Sequence, residues 1–162
     1  MNQYLRSSLV ALALLLLQTT FIPFLSLGEY LPDVLLIWVV FIAVRRGQVE
    51  AAISGFAVGL AQDLVTTQFL GLAALAKTVS GFAAGYFFNE NKTEITLSSY
   101  RFVLIVLLAS MIHNIVYFMI FLQGVEAPLI VTTLRFSILT GLYTSLLSFL
   151  PMFLFARKYA RI

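Results

Sequence analysis

Six stretches of mainly apolar residues follow one another along the chain, at 6–26, 31–46, 48–66, 69–88, 100–122 and 131–155, with only brief polar breaks between them. A helix needs about 20 such residues to cross the hydrocarbon core of a bilayer. The pattern therefore predicts an all-α integral membrane protein, a bundle of six transmembrane helices. The second stretch is short, because Arg45 and Arg46 follow soon after Pro32. It must tilt little, thin the bilayer or shelter among its neighbours. The breaks leave no room for another folded unit, so residues 1–162 read as a single membrane domain. The first stretch begins like a signal peptide, with Arg6 ahead of the run from Leu9 to Leu17, but Gln18-Thr19-Thr20-Phe21 lacks a small-x-small cleavage pattern. It reads as a retained helix.

Composition narrows the chemistry. Hydrophobic residues make up 61% of the chain and charged ones 10%, against roughly 25% charged in soluble domains, which excludes a soluble globular protein. The absence of cysteine removes disulfides, thiolate metal sites, cysteine nucleophiles and palmitoylation, and His113 is the only histidine. A multi-histidine metal cage cannot be built, and no cofactor is expected. The sequence pI near 9.4 does not point to nucleic acid, since the basic residues sit in short clusters between apolar runs. Arg6, Arg45, Arg46, Lys92, Arg101, Arg157, Lys158 and Arg161 all fall at the N-terminus, the second and fourth loops or the C-terminus, whereas Glu29, Asp33 and Glu126 mark the opposite loops. Basic residues favour the cytoplasmic side of short loops, which places both termini in the cytoplasm. A five-span chain, with the second stretch only dipping into the membrane, would split that segregation.

Two stretches share a period of four. Ala51, Gly55, Gly59 and Asp63 recur on the third, and Ala73, Lys77, Gly81 and Gly85 on the fourth. Each set forms one slowly drifting helical stripe, and small stripes let helix backbones approach closely in lipid. Gly55, Gly59, Gly81 and Gly85 are thus a helix-packing face, internal first and a partner or homodimer face second. Asp63 lies about 5 Å and Lys77 about 12 Å below the turn at Thr66-Thr67-Gln68, at 1.5 Å per residue. A snorkelling lysine stem can cover that difference, so an Asp63–Lys77 ion pair is expected if the stripes face one another. Asp33, His113, Asn114 and Arg135 fall in the same outer half, and with Asp63 and Lys77 they suggest an intramembrane polar network and a pocket opening outward. Asp33 after Pro32 also suits a helix start. His113 and Asn114 can bond between helices, and no serine or carboxylate at motif spacing completes a hydrolase triad. An enzyme using Asp63, Lys77 and His113 as acid, base and charge clamp would need a geometry that nothing in the sequence fixes. Pro151 should kink the sixth helix unless neighbours satisfy the freed carbonyl.

The ordered motifs carry a resemblance. Pro32-Asp33-Val-Leu-Leu-Ile opens the second stretch and Arg45-Arg46-Gly47 closes it. Gly55-Phe56-x-x-Gly59-Leu60-x-x-Asp63-Leu64 and Leu70-Gly71-x-x-Ala74-Leu75-Ala76-Lys77 follow, then Gly81 and Gly85. Together they resemble the bacterial rod shape-determining protein MreD family, in detail over residues 31 to 88 and in size and layout over the rest. The resemblance implies a non-enzymatic scaffold or regulator of cell-wall elongation and peptidoglycan synthesis in the inner membrane. It implies as partners MreC, the elongation-specific class B penicillin-binding transpeptidase, RodA and, indirectly, MreB, in contact with membrane lipids. It also implies a fold similar to the S-components of energy-coupling-factor transporters, which makes a vitamin-binding transporter subunit the alternative. Those subunits commonly present an alanine-x-x-x-alanine face on the first helix, where Ala11 and Ala13 here have leucines four residues on.

Overall fold

A computed structural model describes residues 3–66, 69–124 and 128–159; Thr67 and Gln68 of the expected turn, Glu126, Arg161 and the Lys158 side chain lie outside the description. The described residues form seven α-helices, α1 (Gln3–Thr20), α2 (Val34–Arg46), α3 (Gln48–Thr66), α4 (Leu72–Ala84), α5 (Thr93–Leu97), α6 (Tyr100–Phe121) and α7 (Leu129–Tyr159), joined by short 3₁₀ turns and loops. Three of them, α3, α6 and α7 as far as Arg157, are long and apolar enough to cross a membrane.

The helix ends differ from the expected stretches for local reasons. The first helix stops at Thr20 instead of reaching Ser26, and Pro23 opens a separate 3₁₀ turn over Ile22–Leu25. Pro32 lacks an amide hydrogen and Asp33 is extended (φ −109°, ψ 95°), so α2 begins only at Val34. Gly47, at φ 89°, turns the chain from α2 into α3 in one residue, a conformation that suits glycine alone. The fourth stretch is α from Leu72 to Ala84 and finishes as a 3₁₀ turn over Gly85–Phe87. Residues expected to be a plain loop contain α5, whose Thr96 and Leu97 are buried. Pro151 lies inside α7, which continues past it.

The short second helix is the hub. Leu35, Val39, Val40, Ala43 and Val44 are 0% exposed, and α2 touches α1, α3, α4, α6 and α7. A helix that is apolar all round belongs in an interior. Its 13 residues span about 20 Å, well under the roughly 30 Å of a hydrocarbon core, so shelter among neighbours is the solution adopted. Around it α3 packs most closely on α4, and α6 on α7.

The polarity of the outer helices is inverted relative to a soluble protein. On α7 the buried positions include Thr133, Ser137, Thr140, Thr144, Ser145 and Ser148, with Met152 the one large apolar residue among them, while Leu134, Ile138, Leu142, Leu146 and Phe153 are exposed. Water would drive that arrangement the other way. A lipid environment favours it, because small hydroxyl residues pack helices closely and large apolar side chains match the acyl chains.

Candidate functional site

Four helices converge on the segment that starts α2. Asp33 caps its own helix, its Oδ1 accepting from the Leu36 amide at 2.9 Å. That leaves Oδ2 free to take the Lys77 ammonium of α4 at 2.5 Å. The Asp33 amide donates to Thr144 Oγ1 of α7 at 3.1 Å. Gln18, near the end of α1, brackets the same segment: its Nε2 donates to the Pro32 carbonyl at 3.0 Å and its Oε1 accepts from the Val34 amide at 2.8 Å. The Asp33, Val34 and Leu36 amides and the Pro32 carbonyl, left without intrahelical partners at the helix start, thus each find a side chain, as a water-free interior favours.

His113 of α6 completes the junction. Its Nε2 lies 3.4 Å from Lys77 Nζ and 3.7 Å from Asp33 Oδ2. An ammonium can only donate, so Nε2 acts as the acceptor and the ring proton sits on Nδ1, which donates to Asn114 Oδ1 at 3.3 Å. The chain Asn114–His113–Lys77–Asp33 is therefore one connected set holding one positive and one negative charge. The His113 ring stacks on Tyr117, with centroids 5.9 Å apart.

Asp63 belongs elsewhere. Its Oδ2 accepts from the Gly71 and Ala74 amides at 2.9 and 3.2 Å, and its Oδ1 from the Ala73 amide at 3.2 Å. The carboxylate caps α4 from the neighbouring helix, at the positive end of the helix dipole. Gly71, at φ 92°, presents its amide to it. The expected Asp63–Lys77 pair is accordingly corrected: Asp63 is saturated by backbone amides, and the lysine tip reaches α2 instead. Arg135 is also separate, being exposed on α7 with no ion-pair partner among the described residues.

The expected pocket opening outward is absent at this junction. Asp33, Lys77, His113 and Asn114 are 9%, 0%, 6% and 5% exposed. Gln18 and Thr144 were not among the residues singled out from the sequence, although an amide side chain closing the apolar run of α1 was a usable signal for Gln18.

The four stripe glycines lie inside the helix bundle. A Cβ on Gly55 would come 2.5 Å from the Lys77 carbonyl oxygen, and one on Gly59 2.5 Å from Ala74 Cα. One on Gly81 would meet the Ala51 carbonyl oxygen at 2.9 Å, and Gly85 is pressed against Gln48. These faces are used within the chain, so the partner-face reading of Gly55, Gly59, Gly81 and Gly85 gives way to internal packing. Lys77 is held at both ends: Gly55 lies on its backbone and Asp33 on its ammonium.

Comparison with protein families matches residues 2–159 to the model described as rod shape-determining protein MreD. No curated protein and no solved structure matches the chain.

Proposed function

The chain belongs to the MreD family of rod shape-determining proteins, and from that membership we propose a multi-pass scaffold of the cell-wall elongation machinery that acts by holding protein partners in the inner membrane and performs no turnover chemistry. The observation that carries this reading is the closure of the polar junction. Asp33, Lys77 and His113 are the side chains best suited to acid–base work, and each is buried and bound to another part of the chain. A catalytic group needs a reachable substrate. Locked charges instead hold the bundle in one arrangement and leave its lipid-facing surface to recognise other membrane helices.

In this reading α1, α2 and α4 cross the membrane along with the three longer helices, giving six spans with both termini cytoplasmic. MreC, the elongation transpeptidase and RodA are the proposed partners, and MreB is reached through them. Depletion in a rod-shaped host should turn cells round, and detergent extraction should co-purify MreC or the transpeptidase. Co-purification with an ATPase-driven coupling module and a vitamin, with no elongation protein, would overturn the scaffold in favour of a transporter subunit.

A further inference from the structure

A groove of about 510 Å³ runs between α1 and α3, away from the polar junction. Its lining changes character along the helix axis. Ser7, Arg46 and Glu50 gather at one end, and Leu15, Trp38 and Ala61 lie at the other. From Glu50 to Ala61 the groove extends about 16 Å at 1.5 Å per residue. Half of a hydrocarbon core is about 15 Å, so the groove covers one leaflet. Its polar end belongs with the basic cluster of Arg6, Arg45 and Arg46, where the interface of that leaflet would lie.

The polar end carries a fixed pair of opposite charges. Arg46 Nη1 donates to Glu50 Oε2 at 3.1 Å, and Nη2 donates to Ser7 Oγ at 3.4 Å. The guanidinium also sits 5.4 Å from the centre of the Tyr4 ring. It is held in place, yet these two bonds engage only part of its five-donor fork. Glu50 is open, its side chain 40% exposed. A cation beside an anion, above an apolar channel one leaflet deep, is complementary to a headgroup that places a phosphate beside an ammonium.

We propose that this groove holds an acyl chain of an amine-bearing zwitterionic phospholipid, a phosphatidylethanolamine, with its phosphate on Arg46 and its ammonium on Glu50. A bound transmembrane helix fits the observations less well, since it would run through both leaflets while the groove occupies one. An anionic lipid without an amine would offer Arg46 the same phosphate but bring no ammonium to offset Glu50. Nothing in the assignment depends on which proteins the chain binds.

The test is native mass spectrometry of the full-length protein released from nanodiscs containing equal amounts of phosphatidylethanolamine and phosphatidylglycerol with identical acyl chains. The wild type should retain phosphatidylethanolamine in clear excess. Glu50→Gln should reduce that excess roughly tenfold, the effect of losing one charge-assisted hydrogen bond. Ala57→Phe, which fills the groove, should lower retention of both lipids, with thermal unfolding run alongside to identify a folded variant. Glu50→Gln lies at an exposed position and keeps the test decisive if the phenylalanine variant fails to fold. Equal retention of the two lipids by the wild type, or an excess unchanged in Glu50→Gln, would overturn the proposal. So would a folded Ala57→Phe protein that keeps its lipid and loses a protein partner, since the groove would then be a helix-docking site.

Discussion

Asp33 divides its oxygens between the Leu36 amide and the Lys77 ammonium, so removing either charge strands the other where water is excluded. A lone buried charge keeps its desolvation cost and loses its compensation. Asp33→Asn or Lys77→Met alone should each cost about 3–5 kcal/mol. The double variant should lose less than the two singles together in thermal unfolding of the detergent-purified protein. Strictly additive losses would show that the two groups do not interact. Asp63 shares no partner with Lys77, which gives the opposite expectation. Asp63→Ala should cost about 1–2 kcal/mol as a lost cap, add independently to Lys77→Met, and speed hydrogen exchange at the Gly71, Ala73 and Ala74 amides. The residue types at the junction were legible because charge in an apolar run is conspicuous, but their pairing was not. A period of four locates a Cα on a helix face, and Lys77 does lay its backbone against Gly55. It says nothing of where a four-carbon stem ends. Gln18 and Thr144 were harder still, since neutral polar residues are ordinary in membrane helices and their target, the start of α2, is distant in sequence.

At the scale of elements, the α3–α4 hairpin depends on backbone contact that no side chain can replace. Even alanine at Gly55 would put a Cβ 2.5 Å from a carbonyl oxygen, forcing the helices apart. Gly55→Ala should therefore destabilise by about 1–3 kcal/mol, as overpacking does. Gly141 supplies the control. Its Cβ would meet the Ser110 Cβ at 3.6 Å, an ordinary contact, and alanine is the better helix former by up to about 1 kcal/mol. Gly141→Ala should leave the unfolding temperature unchanged or raised. Loss of stability in both variants alike would mean that helix–helix distance is not what the glycines set. The stripe was readable because small residues at period four have few other uses in a lipid-spanning helix. The end of α1 and the start of α2 were less so: Pro32 and Asp33 suited a helix start, while the side chains that satisfy the backbone there, Gln18 and Thr144, come from other helices. The buried Leu97 of α5 was hidden by its short, polar surroundings, which read as a loop until a neighbouring core is there to receive it.

For the whole molecule, the arrangement of charge along the bundle gives a test of orientation. Arg45, Arg46 and the start of α1 lie at one end, and the Asp33 and Asp63 caps lie towards the other, as the alternation of helix directions requires. Eight basic residues fall at the first end or in the terminal segments, and the tendency of such residues to stay on the cytoplasmic side would fix the protein one way up. The chain contains no cysteine, so single-cysteine probes can be introduced directly. Gly47 is a poor position, because its φ of 89° would strain any side chain. Val49 and Asn91 on the basic side, and Glu29 and Gln123 on the opposite side, are exposed and free of that strain. In intact cells a membrane-impermeant maleimide should label Glu29→Cys and Gln123→Cys and leave Val49→Cys and Asn91→Cys unlabelled until the cells are opened. Labelling of Asn91→Cys from outside would invert the orientation. Labelling of Val49→Cys from outside, with Asn91→Cys still protected, would instead put α2 and α3 in a different relation to the bilayer and reduce the number of spans.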